Sequence, residues 1–197
     1  MFWRPQLIED LIRKNRSYRR FEKSYAIEEG TLKELVNLAR LSPSAGNAQP
    51  LKYMLSANAE RNKLIFPTLR WAAYLQGWPG PAEGERPSAY IIVLGDTEIS
   101  KNFLCDHGIA CQSMLLGAVE KGLGGCLVGS IDREQLREAL SIPERYEILL
   151  VVALGKPKEK VVIETADPDG DIRYYRDADQ VHHVPKRPLE EMILDKS

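Results

Sequence analysis

The chain has 197 residues, with 27 Lys and Arg against 28 Asp and Glu for a formal charge of −1. That balance excludes a global basic field for nucleic acid and an acidic solvating tail. The length reads as one domain, 1–197, able to bury a substantial core. No stretch free of Asp, Glu, Lys and Arg exceeds the thirteen residues from His107 to Val119, too short to span a bilayer. The start Met1-Phe2-Trp3-Arg4-Pro5 lacks a basic region followed by an apolar run. Cys105, Cys111 and Cys126 lie in apolar stretches without CxxC spacing and read as reduced packing residues of a cytoplasmic protein.

Leu7, Ile8, Leu11 and Ile12 recur at helical spacing, so residues 6–14 read as a helix, as do Glu28 to Leu41, stopped by Pro43. Lys52 to Ala57 is a strand candidate and Glu60 to Phe66 a short helix. Residues 67–88 hold Trp71, Tyr74 and Trp78 among four prolines and three glycines, an ordered, lid-like excursion rather than a flexible linker. Ser88 to Gly95 is a buried strand. Asn102 to Lys121 reads as a helix apolar on nearly every face, which must be covered on every face, in part by a second subunit. Gly122 and Gly124-Gly125 end it, and Cys126 to Val128 is a short strand. Asp132 caps a helix to Leu140, and Tyr146 to Leu154 is a second strong strand. A polar turn at Asp167 to Asp171, a strand at Ile172 to Tyr175 and a helix at Pro188 to Leu194 follow. Few strands alternating irregularly with helices fit an α+β fold better than a doubly wound sheet.

Arg16-Ser17-Tyr18-Arg19-Arg20-Phe21 packs three guanidinium groups and a hydroxyl into six residues. Arg holds a phosphate monoester through bidentate, charge-assisted hydrogen bonds, and Arg16 and Arg19 are spaced to face one anion beside Ser17. The same run also fits a solvated basic patch after a helix. Pro185-Lys186-Arg187-Pro188 sets two more cations at what reads as a helix start, where backbone donors favour anions. The loop Pro43 to Pro50 is dense in amides and hydroxyls that suit a flat ring of alternating C=O and N–H groups, while Pro43, Ser44 and Gly46 also serve as turn residues. His107, His182 and His183 show no triad or metal spacing. Gly122 to Gly125 lacks the Gly-Lys-Ser/Thr ending of a phosphate loop and reads as a helix stop.

Four segments in order resemble the nitroreductase family of FMN-dependent oxidoreductases: 16–21, 42–50, Asp106 to Gln112 leading to Gly122-Leu-Gly124, and 185–187. The resemblance implies a central, mainly antiparallel sheet flanked by helices, with the 102–121 helix buried at a homodimer interface. It implies that Arg16 and Ser17 bind the FMN phosphate, that Lys186 and Arg187 close over it, and that Arg19 reaches toward the N1–C2=O edge or the ribityl chain. Pro43, Ser44, Ala45, Asn47 and Gln49 match the loop that contacts the FMN held mainly by the other subunit, giving composite sites. Leu127, Val128 and Gly129 match the segment along the ring near N5. The chain departs from the pattern at Asn15, where many members carry Arg, and at Leu51, where an aromatic is common. Residues 67–88 lack the usual pyrimidine-edge Asn and Lys. Arg70 is the candidate substitute, and Trp71, Tyr74 and Trp78 either stack over the substrate side or pack beneath a lid.

A flavin carries the hard chemistry itself, so no protein nucleophile is required. The implied activity is reduction of nitroaromatic, quinone or similar flat small molecules by a ping-pong route, with NADH or NADPH as reductant and no metal, nucleic acid or membrane partner. Two alternatives remain on the same fold: a dehalogenating or flavin-destroying enzyme, and a flavin-binding or redox-sensing protein with little turnover.

Overall fold

The computed structural model describes residues 7–167 and 170–194. A four-stranded antiparallel sheet runs in the order β1-β2-β4-β3, from β1 (Leu51–Ser56), β2 (Ala89–Asp96), β3 (Gly124–Val128) and β4 (Tyr146–Gly155). Every residue of β2 is buried, so its apolar run faces two cores at once. Ile91 and Val93 with Val152 and Leu154 of β4 pack under α2 (Glu29–Leu41) and α4 (Asp106–Glu120). Tyr90, Ile92 and Leu94 with Ala153 pack under α3 (Ala59–Ile65) and α5 (Arg133–Leu140), and Trp71 closes that side. Helices on both faces of a mainly antiparallel sheet make the α+β architecture expected from the sequence.

Two further pieces position the site. After α1 (Leu7–Lys14), residues 15–21 run beside the outer edge of β3. Ser17 bridges Gly125, the Tyr18 N–H donates to the Gly125 carbonyl at 3.0 Å, and Phe21 bridges Pro157. Glycine at 124 permits this approach, since a Cβ there would lie 2.5 Å from the Tyr18 ring, and one on Gly125 would lie 2.7 Å from the Ala153 carbonyl oxygen of β4. Beyond β4, a small sheet of β5 (Val161–Thr165), β7 (His182–Lys186) and β6 (Tyr175–Arg176) pairs β5 and β7 in parallel. It is fastened to the N-terminal segment where the Lys158 N–H donates to the Arg20 carbonyl at 3.0 Å.

Several expectations are corrected. The long helix begins at Asp106 rather than Asn102. The Asn102 side chain captures the Leu104 N–H at 3.0 Å and Leu104 takes φ 42°, a local turn that competes with helix. The strand at Ile172 to Tyr175 reduces to β6, and the terminal helix reduces to α6 (Leu189–Met192). Lys186 ends strand β7, so it does not open a helix. The turn at Asp167 to Asp171 lies partly outside the described residues, although Gly170 N–H donates to the Asp167 carbonyl at 2.8 Å. Cys105 is exposed, whereas Cys111 and Cys126 are buried; all are free thiols. Within one chain α4 is not covered all round, because Ile109 stays 39% exposed and Gln112 is exposed.

Candidate functional site

A cavity of about 360 Å3 opens where the N-terminal segment, α4, the start of β3 and β7 meet. Arg16, Ser17 and Arg19 line one wall, Gln112 and Leu115 of α4 another, and His182, Val184 and Lys186 of β7 a third. The β7 residues are alternate, so strand pleating presents them on one side while His183 faces the other. Leu127 and Gly125 of β3 and Tyr174 complete it. Three cations line this cavity and no Asp or Glu does among the described residues.

The polar groups are left short of partners. Arg16 Nη2 donates to the Ile12 carbonyl at 2.7 Å, but its Nε is buried without a hydrogen-bond partner among the described residues. Burial pulls the Arg16 pKa below its usual value, and Tyr18 offsets this only in part. His182 is 1% exposed, and its Nδ1 is likewise buried and unpartnered. Burial first, then the cations Arg19 and Arg176, push its pKa down to about 4, so it is neutral at physiological pH. Asn15 donates to Gln112 Oε1 at 3.2 Å across the cavity rim. Buried polar groups without partners are costly, and the two of them at this cation-lined cavity fit an anionic, oxygen-rich ligand.

A second cavity of about 200 Å3 shares Arg19 and Leu127 with the first. Val128, Gly129, Arg70 and Trp71 line it, with Cys126 at its base. Arg70 is anchored by its backbone to Ser130 at 2.9 Å and by Nη1 to the Pro67 carbonyl at 2.9 Å. Trp71 is 8% exposed and stacks on Phe66 with centroids 5.9 Å apart. Tyr74 and Trp78 do not reach either cavity. Tyr74 packs on Tyr174 at 5.0 Å, and Trp78 carries the Arg176 guanidinium 4.3 Å from its ring centroid. Arg187 is also absent from the cavity wall, because it turns back to pair with Glu191 at 3.3 Å. Arg20 is held by Glu85 at 2.7 and 2.8 Å, which leaves Arg16 and Arg19 as the inward cations of the segment.

The 43–49 loop is placed elsewhere, on a separate cavity at the N-terminal end of α4. Ser44 Oγ donates to Asp106 Oδ2 at 2.6 Å, the Ala45 N–H donates to Asp106 Oδ1 at 2.9 Å, and the Gln49 N–H donates to Ser44 Oγ at 2.9 Å. These bonds hold a backbone with Gly46, Asn47 and Gln49 all at positive φ, of 56°, 54° and 51°. Asn47 and Gln49 are exposed and do not line this chain's own main cavity. Sequence reasoning missed His182 and Gln112 as site residues. The available signal was the alternation His182, Val184, Lys186, hidden because β7 did not read as a strand.

This sheet, helix-covered on both faces and flanked along its β3 edge by a cationic N-terminal segment, defines a nitroreductase-like α+β fold. The chain belongs to the nitroreductase family, whose model matches residues 12–156. An Archaeoglobus fulgidus protein with the provisional name NADH dehydrogenase/NAD(P)H nitroreductase is 30% identical over 149 residues, 72% of this chain and 80% of its own. The 5,6-dimethylbenzimidazole synthase of Rhodospirillum rubrum is 25% identical, over 78% of this chain and 83% of its own. Among solved structures, a provisionally named nitroreductase from Exiguobacterium sibiricum, in complex with FMN, shares the fold at a TM-score of 0.67 with 17% identity, over 82% of this chain and 93% of that one.

Proposed function

We propose that the joined cavities bind FMN, and that the protein is an NAD(P)H-dependent oxidoreductase acting on flat electrophilic acceptors such as nitroaromatics and quinones. The observation that carries this is the convergence of Arg16, Ser17, Arg19 and Lys186, from opposite ends of the chain, on one cavity that no carboxylate lines among the described residues. Arg16, Ser17 and Lys186 hold the phosphate, and the unpartnered Arg16 Nε gains an acceptor there. Arg19 stands where the cavities meet and faces the ring's polar edge. Leu127, Val128 and Gly129 bound the ring's inner side, while Arg70 and Trp71 border the acceptor side. FMN, when bound, supplies two-electron transfer from the nicotinamide to the acceptor by a ping-pong route. The protein's share is to bind, orient and stabilise negative charge.

The protein acts as a homodimer in which the exposed side chains of the 43–49 loop complete the partner's site. Support comes from the open stripe of α4 and from α1, where Leu7, Ile8 and Ile12 are 60%, 55% and 45% exposed. Ile109→Asp would bury an unpaired carboxylate there, costing about 3 kcal/mol or more. Sedimentation at micromolar concentration is expected to find the variant monomeric and the parent dimeric.

The purified protein is expected to be yellow, with an absorbance band that NADH or NADPH bleaches anaerobically and a nitroaromatic or quinone restores. A colourless protein that takes up no added FMN overturns the proposal. One control addresses the flavin-destroying alternative: the same incubation under air is followed for loss of the flavin chromophore, which would favour flavin destruction over acceptor reduction.

A further inference from the structure

We propose that His182 is a positioning residue that holds Arg19 through a neutral lone pair, aiming its guanidinium into the site with the positive charge uncompensated. The inference rests on the reading of the cavity as an FMN site. Arg19 is 9% exposed, and guanidinium groups that deep are normally paired with a carboxylate. This one is not. Its Nη1 donates to the Ser17 carbonyl at 3.1 Å and lies 3.3 Å from His182 Nε2, and its plane sits 4.8 Å from the Tyr174 ring centroid. A buried carboxylate, Glu159, takes the Arg19 backbone N–H but gives its charge to Arg176 at 2.9 Å.

A guanidinium can only donate, so His182 Nε2 must accept. The proton therefore resides on Nδ1 and the ring is neutral. A carbonyl, an imidazole lone pair and an aromatic face restrain Arg19 without cancelling its charge, whereas an acid in the same place would neutralise it before any ligand arrived. The neighbouring residue shows the opposite arrangement. His183, on the other face of β7, lies between Glu164 and Asp177 (the latter at 3.1 Å), and both carboxylates raise its pKa. Adjacent histidines on one strand thus carry different duties, one paired with two carboxylates, the other neutral and aimed. Because Arg19 borders both cavities, its charge lies on the path of any ligand that spans them.

The test compares His182→Gln, His182→Glu and His182→Leu, reading FMN affinity by fluorescence titration and the midpoint potential of the bound flavin. Gln keeps a neutral acceptor at similar reach and is expected to stay within about threefold of the parent. Leu removes the acceptor and is expected to bind roughly tenfold more weakly. Glu supplies an acceptor with charge and is expected to bind roughly a hundredfold more weakly, with a more negative potential. In an Arg19→Gln background the Gln and Leu variants are expected to behave alike. Glu matching Gln in both readouts, or the Leu defect persisting without Arg19, overturns the proposal. Should the Leu variant not fold, the Gln and Glu pair, nearly isosteric, still decides. A parent that takes up no FMN would sink the cofactor reading instead. The ring nitrogens of His182 then decide by 15N NMR: a proton on Nδ1, with an Nε2 resonance that moves in Arg19→Gln, sustains the contact, and a proton on Nε2 refutes it.

Discussion

Arg16→Ala is expected to release FMN while leaving the fold standing. The side chain contributes little to the protein itself: one hydrogen bond to the Ile12 carbonyl at 2.7 Å, with Nε left unpaired. A single neutral-acceptor bond is worth about 0.5–1.5 kcal/mol net, and truncation also relieves the desolvation of a buried cation. The melting temperature of the apoprotein should therefore move by only a few degrees, roughly 2–4 °C per kcal/mol at this chain length. Binding loses far more. Removing one partner of a hydrogen-bonded charge pair costs about 2–4 kcal/mol, roughly 30- to 800-fold in affinity. Titration of FMN fluorescence against the variant measures it, with circular dichroism as the fold control. Full FMN occupancy in Arg16→Ala would remove Arg16 from the phosphate site. The asymmetry between small folding cost and large binding cost marks a residue placed for a ligand. Arg20 is its foil: bound to Glu85 at 2.7 and 2.8 Å and shielded from the cavity, it is a stabilising residue.

How much of this was legible in the sequence depended on whether each signal was local. The strands at 89–96 and 146–155 and the Asp132-capped helix announce themselves through apolar runs and a cap, and the Asp132 side chain does accept the Gln135 N–H at 3.1 Å. Arg16, Ser17 and Arg19 were readable because their chemistry is concentrated in one short segment. Lys186 was found for its charge but placed on the wrong element. Strand β7, His-His-Val-Pro-Lys, has a proline and two histidines, and only its pairing with β5 makes it a strand. His182 was lost with it. Arg187 pairs with Glu191 at 3.3 Å and does not line the cavity, a contact that its place in the basic run did not signal. The start of the long helix was also overread: apolar Phe103 and Leu104 continued the pattern, while a single Asn side chain broke the backbone. Tertiary pairings and side-chain capture of backbone groups are the terms that composition and periodicity do not carry.

Glu159→Ala is expected to produce the largest loss of stability in the chain, and to damage the site through the backbone rather than through contact. The carboxylate is fully buried and serves three donors from two regions. Its Oε1 accepts the Arg19 N–H and, at 3.2 Å, the Arg20 N–H; its Oε2 accepts Arg176 Nη2 at 2.9 Å. It thereby ties the connection after β4 to the cationic segment on one side and to β6 on the other. Truncation leaves Arg176, whose side chain is 9% exposed, as an uncompensated cation above Trp78 and strands buried N–H groups. Breaking a buried pair in this way costs about 3–5 kcal/mol, or roughly 6–20 °C in melting temperature for a chain of this size. Two companions separate the mechanism from generic damage. Glu159→Gln keeps the acceptor for both N–H groups and should fall between parent and Ala. The double variant Glu159→Leu/Arg176→Leu removes both charges and should be more stable than Glu159→Ala, because what is penalised is the lone buried charge. A double variant no better than the single one would mean that the carboxylate matters chiefly as backbone acceptor. In either case, the folded fraction of Glu159→Ala at low temperature should bind FMN more weakly than the parent, since Arg19 and Arg20 lose the anchor that sets the segment beside β3.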